Sequence, residues 1–187
     1  KGFSRQYLTP AEVEQVRLAN YFVVQCSRTA KLAHEKGVGF AIENPTPWDD
    51  PRCASMFYFQ EFTDLFELKG VEFLDFDQCT MGAASVKPTR IVYFRIWIWG
   101  WSKKCDHPPC YHWCEYRDAS GRFVGEWQWG AHPKLIKSRS LDGEWASKAA
   151  AEYPAEMNEA IALAITESLS TPTPHAAPAS DPSGGGQ

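Results

Sequence analysis

The chain has 187 residues, of which 44% are hydrophobic and 14% aromatic, and it carries 19 Lys and Arg against 23 Asp and Glu. The formal charge of −4 excludes a uniformly basic nucleic-acid coat, and the apolar fraction excludes wholesale disorder. The longest apolar run, around residues 96–99, is far shorter than the roughly 20 residues of a membrane helix. No signal segment opens the chain. We expect an intracellular protein, cytoplasmic or nuclear, that makes no membrane contact.

The first predicted element is a long helix over residues 10–36. Thr9 supplies an N-cap, Pro10 occupies the first helical position, and Gly37 follows the last apolar repeat. A short apolar run at residues 38–42 then reads as a strand buried on both faces. A second helix is predicted over residues 55–68.

Two more strands follow, at residues 71–76 and 91–99, and the tight connection between them predicts a hairpin. The order of elements predicts an α/β fold, with a partial Rossmann-like methyltransferase sheet that has an antiparallel edge hairpin. Residues 102–133 are expected to form an irregular Cys/His insert, and a helix is predicted over residues 155–169. We expect one domain over residues 1–169 and a disordered tail over residues 170–187.

The triplet Glu43-Asn44-Pro45 follows the first predicted strand, where ligands bind in open α/β sheets. A carboxylate leaving a buried strand is partly desolvated, which raises its pKa toward values useful for sharing a proton with a substrate nitrogen. The competing interpretation is that Glu43 caps the next turn or pairs with a surface lysine.

A basic strip begins at the hairpin. Residues 87–104 contain five basic residues and no acid, interleaved with aromatic side chains. Such a strip can hold phosphates by charge and bases by stacking, and it is equally typical of an edge strand protected against aggregation. The predicted nucleic-acid contacts are Lys87, Thr89, Arg90 and Arg95.

In order and spacing, these motifs resemble the rear half of the cytosine-5 DNA methyltransferases. The matching segments are Phe40-Ala41-Ile42-Glu43-Asn44-Pro45, the hairpin with Gln78, Met81-Gly82 and Lys87-Pro88-Thr89-Arg90, and the ending Ala150-Ala151-Glu152-Tyr153-Pro154. They are most similar to a divergent branch met in phages and mobile-element polyproteins. Met81 replaces the usual tyrosine, and Lys-Pro-Thr-Arg replaces Gln-x-Arg-x-Arg.

The resemblance implies roles for individual residues. Glu43 would hold the flipped cytosine at its ring nitrogen and amino group, Asn44 and Pro45 would shape the turn, and the basic hairpin would lie near the target strand. DNA is favoured over RNA as the partner.

The family's glycine-rich loop for S-adenosylmethionine and its Pro-Cys nucleophile precede the Glu-Asn turn, and neither occurs among residues 1–42. The helical Cys26 does not fit that nucleophile. We expect a truncated piece, inactive alone and dependent on an N-terminal cofactor-binding half or partner chain, or a degenerate relic that only binds.

The predicted insert concentrates sulfur and imidazole donors: Cys105, His107, Cys110, His112 and Cys114. These donors could furnish a tetrahedral zinc site, although the spacing is not a paired Cys-x2-Cys knuckle. The alternative is a loop of free thiols.

Two other functions remain open. Asn44-Pro45-Thr46-Pro47-Trp48 is similar to the Asn-Pro-Pro-Tyr/Trp turn of amino-group methyltransferases acting on adenine N6 or cytosine N4, but Thr46 interrupts the pattern. A non-catalytic nucleic-acid-binding or scaffold module of a mobile element would use the basic hairpin and the Cys/His segment without any cofactor half.

Overall fold

The computed structural model describes residues 8–47, 55–98, 100–118, 120–133 and 152–170. Three predictions lie outside these residues: the tail over residues 171–187, Ala150-Ala151 of the final motif, and Trp48 of the Asn-Pro turn.

The helices follow the predicted positions closely. Helix α1 spans Pro10–Glu35 and begins with a capping box in which Thr9 and Glu12 satisfy each other's backbone N–H groups. The predicted second helix divides into a 3-10 turn at Met56–Tyr58 and helix α2 at Gln60–Phe66. Helix α3 covers Ala155–Ser170.

The main sheet has three strands: β1 (Phe40–Pro45), β2 (Val71–Asp77) and β3 (Pro88–Phe94). Their order is β1-β3-β2, and β3 runs antiparallel to both neighbours. The predicted hairpin is therefore confirmed as β2–β3, connected through a 3-10 turn at Gln78–Met81. Gly82 follows that turn at φ 89°, a conformation that favours glycine.

The expectation of a Rossmann-like sheet is not met, because the sheets of the described residues are antiparallel. Strand β1 was expected to be buried on both faces, yet it lies at the edge, and β3 takes the central position. A short apolar run alone does not distinguish a central strand from an edge strand, and every residue of β1 is at least partly exposed.

The sheet is covered on both faces. On one face Val92 packs with Ala30 of α1 and with Phe62 and Leu65 of α2. On the other face Phe76 and Ile91 pack with Met157 of α3 and with Ile98. The result is a three-layer arrangement in which each strand alternates its side chains between two separate cores.

Residues 102–133 are not uniformly irregular, as the sequence led us to expect. Strand β4 (Cys110–Arg117) pairs with β5 (Phe123–Gly130) as an antiparallel hairpin. Period-two alternation was obscured here because both faces of β4 carry aromatic or sulfur-containing side chains.

Arg90 belongs to the layer formed by α1 and α2. Its guanidinium donates two hydrogen bonds to the Asp75 carboxylate, at 2.7 and 2.8 Å, and lies 4.1 Å from the centre of the Phe73 ring. This bidentate ion pair joins the neighbouring strands β2 and β3 under partial burial.

We expect Arg90→Ala to lower the free energy of unfolding by about 1–3 kcal/mol, because it leaves the half-buried Asp75 carboxylate without its partner. Urea denaturation would measure the loss. Arg17→Ala is the control, since Arg17 and Glu14 form an exposed pair and the change should stay within about 0.5 kcal/mol. Equal effects of both substitutions would contradict the structural role of Arg90.

Candidate functional site

The end of β2 fastens a distant segment of the chain. The backbone N–H of Asp77 donates to the Lys103 carbonyl at 3.0 Å, and the Asp77 carboxylate accepts from the backbone N–H of Cys105 at 2.8 Å. The Lys104 ammonium lies 4.0 Å from the same carboxylate. These contacts bring Cys105 beside Cys79, which lies in the 3-10 turn directly after β2.

A Cys/His cluster forms at this corner. One ligand atom from each of Cys79, Cys105, His107 and His132 lies within 4.8 Å of the other three. Cys105 Sγ is 3.4 Å from His107 Nδ1, and the His107 and His132 rings are 5.0 Å apart in an edge arrangement. Two thiols and two imidazoles at these distances could hold a metal ion.

His132 is oriented as a metal ligand would be. Its Nδ1 is 3.1 Å from the Ala84 carbonyl, which can only accept, so Nδ1 carries the proton. The other nitrogen, Nε2, therefore carries the lone pair, and it is buried with no hydrogen-bond partner among the described residues. Metal-binding histidines in proteins are commonly fixed by this kind of bond to a backbone carbonyl.

Of the two cysteines in the cluster, Cys79 is buried and Cys105 is partly exposed. Burial raises the pKa of Cys79 to about 12, with further contributions from the neighbouring Cys105 thiol and the Asp77 carboxylate. In the metal-free protein Cys79 is consequently a neutral thiol at pH 7.

The structure brings together two of the five predicted ligands, Cys105 and His107. The others lie on β4: Cys110 Sγ is 3.4 Å from His112 Nε2, His112 Nε2 is 3.0 Å from the Gly130 carbonyl, and Cys114 is buried. Sequence reasoning missed Cys79 and His132. Recognition of the β4–β5 hairpin would have indicated His132, because the chain leaving a hairpin returns to where it entered.

Glu43 lies on β1 with its side chain on the α3 face of the sheet. The Tyr153 hydroxyl donates to Glu43 Oε2, while Oε1 is buried without a hydrogen-bond partner among the described residues. The Lys87 ammonium lies 4.9 Å from the centre of the Tyr153 ring. Tyr153 thus connects the predicted catalytic acid to the first residue of the predicted basic hairpin.

A cavity of about 270 Å³ lies beside Glu43, between the sheet and α3. Its walls are largely apolar and include Trp101, Ile98 and Ile161. Glu43 is the acidic residue of the lining. A small pocket with apolar walls and few polar groups is typical of a site for a flat organic ligand.

The other two residues of the predicted triplet, Asn44 and Pro45, do not line this cavity. Asn44 pairs with Arg90 in the sheet, and its side chain belongs to the opposite face, toward α1 and α2. Pro45, opposite Thr89, is exposed.

The four predicted nucleic-acid contacts do not share one surface. Thr89 is fully buried, where its hydroxyl accepts from Gln78 and donates to the Lys87 carbonyl. Arg90 is paired with Asp75, and Arg95 is exposed and donates to the Gly37 carbonyl. Lys87 and Arg95 are the two whose charged groups have no acidic partner among the contacts described.

Comparison of the chain with protein-family models, with curated proteins and with solved structures finds no significant match. Among the described residues, none of the helices combines the length and the hydropathy needed to cross a lipid bilayer.

We expect Glu43→Gln to lower the pKa of Tyr153. Burial, followed by the hydrogen bond and charge of Glu43, raises that pKa from 10.0 to about 12. Since the folded-state pKa is raised, its contribution to stability is complete below pH 10 and is lost as the pH rises toward 12. NMR of carbon-13-labelled tyrosine would follow each ring separately.

Glu72→Gln is the matched control for this titration. Glu72 accepts from the Tyr93 hydroxyl on the same face of the sheet, and the pKa of Tyr93 is also raised to about 12. This variant should move Tyr93 and leave Tyr153 unchanged. A Tyr153 titration that is the same in Glu43→Gln and in the unaltered protein would show that the two groups are not in contact.

Proposed function

We propose that this chain is the base-binding and DNA-contacting part of a cytosine-5 DNA methyltransferase-like protein that is inactive alone. The observation that carries the proposal is the Glu43 carboxylate, with one oxygen held by Tyr153 and the other buried without a partner beside an apolar cavity. A buried acceptor that lacks a donor is costly, and a ligand that donates to it recovers that cost.

Cytosine has the complementary chemistry. Its exocyclic amino group donates a hydrogen bond, and its ring nitrogen accepts one from a protonated carboxyl group. The cavity volume of about 270 Å³ accommodates one pyrimidine ring, and Trp101 provides an aromatic wall. In this proposal Tyr153 is a positioning residue, because it fixes the carboxyl group and does not itself contact the base.

Methyl transfer requires a second half. S-adenosylmethionine would supply the methyl group, but the described residues offer no glycine-rich loop between a strand and a helix to hold it. The described residues therefore do not fit the cofactor, and we assign its binding to an N-terminal half or a partner chain.

Two features support such a partner. Strand β1 has one hydrogen-bonded neighbour, β3, within the described residues, so its outer edge can accept a further strand. Helix α1 exposes Leu18, Tyr21 and Phe22, at 47%, 55% and 61% of their surfaces, and their i, i+3, i+4 spacing places them on one side of the helix. An apolar surface of this kind marks an interaction site.

We further propose that the metal of the Cys/His cluster is zinc and that it is structural. Four protein donors complete a tetrahedral shell and leave no open position for a substrate. Tetrahedral zinc with thiolate and imidazole ligands separates its donor atoms by about 3.3–3.8 Å, so the cluster needs only a small contraction. The ion would fasten both ends of the β4–β5 segment to the turn after β2.

The alternative is a nucleic-acid-binding module without catalysis. The observation that favours it is that the Cys/His cluster and the β4–β5 hairpin are complete within this chain. The amino-group methyltransferase hypothesis receives less support from the geometry, since the Asn44 side chain lies on the sheet face opposite the cavity.

Protein purified without chelator should contain one zinc ion per chain, measured by inductively coupled plasma mass spectrometry. Cys79→Ser should remove most of it, because three ligands bind zinc far more weakly than four. Cys110→Ser is the control, since Cys110 lies outside the cluster. Zinc retained in Cys79→Ser and lost in Cys110→Ser would place the site on β4 instead.

Free cytosine should quench the fluorescence of Trp101 in the cavity, and Glu43→Gln should weaken its binding by about tenfold or more, through loss of a charge-assisted hydrogen bond. Glu72→Gln should bind cytosine normally. In a complete enzyme that contains this segment, Glu43→Gln should abolish methyl transfer. Full activity, or equal cytosine binding by both variants, would remove Glu43 from the site.

A further inference from the structure

One face of the β4–β5 hairpin, which we call the aromatic face, exposes five aromatic rings: Tyr111, Trp113, Phe123, Trp127 and Trp129. Four of them form two cross-strand pairs, with ring centres 4.7 Å apart for Tyr111–Trp129 and 5.5 Å apart for Trp113–Trp127. Between 51% and 67% of each residue is exposed. The pairing stabilises the hairpin, yet it leaves about half of every ring open to solvent.

Trp113 is held flat by its neighbours. A Cβ atom at Gly125 would lie 2.8 Å from the Trp113 ring, so the indole covers the backbone of the opposite strand at a position where only glycine leaves room. Its Nε1 donates to the Glu115 carboxylate at 2.9 Å. Since the ring is fixed and its N–H is already used, its π-face is the part available to a ligand.

On the opposite face of the hairpin, polar side chains of the two strands hydrogen-bond to one another. Cys114 is buried, the Tyr116 hydroxyl donates to Glu126, and the Gln128 side-chain amide donates to the same carboxylate. The strongly exposed aromatic rings of the hairpin therefore all lie on one of its two faces.

We infer that the aromatic face binds single-stranded nucleic acid by stacking of unpaired bases, an inference that takes its ligand class from the proposed function. Same-face residues on a strand lie about 6.6–6.8 Å apart, which allows neighbouring bases of an extended strand to contact successive rings. Sheets that display aromatic side chains bind single strands in this way. A duplex keeps its base faces stacked internally and cannot present them.

The chemistry of this face favours bases over an apolar protein partner. Besides the five rings, its two strands contribute Glu115, Arg117 and Gly125, and none of these is aliphatic. Exposed apolar residues of α1, by contrast, include Val16 and Leu18. Arg117 lies on the same face as the rings, where its guanidinium supplies a positive charge to a phosphate of a bound strand.

The test is a fluorescence-anisotropy titration of the full chain with a labelled short oligothymidylate. The single strand should bind and quench tryptophan fluorescence, and a duplex of equal length should bind more weakly. Trp127→Ala and Trp129→Ala should each weaken single-strand binding at least about fivefold, and Trp127→Phe should retain most of it, because a ring remains for stacking. Trp97→Ala removes an exposed indole outside the hairpin and should have no effect.

Three results would overturn the inference: no binding of the single strand, equal binding by the alanine variants with unchanged circular dichroism, or a dimer that Trp127→Ala dissociates while oligonucleotide binding stays absent. The last would identify a second copy of the chain as the occupant. Titration of free cytosine in the same preparations separates the proposals. Cytosine binding without oligonucleotide binding rejects only the aromatic face, and the reverse rejects only the Glu43 cavity.

Discussion

The corner after β2 is where the β4–β5 hairpin is joined to the main sheet. Asp77 ends the strand, and its backbone and carboxylate hold the segment that carries Cys105. Cys79 follows in the next turn, and His132 returns from the end of β5 to complete the cluster. Without a bond across this corner, the hairpin would be attached to the main sheet only through loops. A two-stranded hairpin is only marginally stable by itself in water, so it needs such a bond. A metal ion here would convert four separate donors into one rigid connection, and its binding energy would become folding energy.

The alternation of side chains along the strands decides which residues can act at the cavity. Glu43 faces α3, whereas its sequence neighbour Asn44 and the paired Arg90 face α1 and α2. The Arg90 guanidinium consequently pairs with the Asp75 carboxylate on that face. On the other face, the Lys87 ammonium lies over the ring of Tyr153, whose hydroxyl contacts Glu43. The basic strip seen in the sequence is thus divided by the sheet. Basic residues that are close together in the sequence therefore lie on different faces of the sheet.

Much of the fold was predictable because its signals are local. The capping box at Thr9, the apolar repeat of α1 and the tight turn between β2 and β3 each depend on neighbouring residues, and each lies where the sequence indicated. The central position of β3 and the places of Cys79 and His132 in the Cys/His cluster depend on contacts between distant segments, which neither periodicity nor spacing encodes. The five predicted donors are close together in the sequence, yet Cys110, His112 and Cys114 lie on β4 and outside the cluster that contains Cys105 and His107.

The most direct test of the joint at the Asp77 corner is amide hydrogen exchange of the full chain with stoichiometric zinc and after chelation. If the cluster fastens the hairpin, chelation will accelerate exchange throughout β4 and β5 and in the turn at Gln78–Met81, while the amides of β3 keep their protection. Exchange in β4 and β5 that is the same with and without the metal would contradict the account, because the hairpin would then be held by something other than these four side chains.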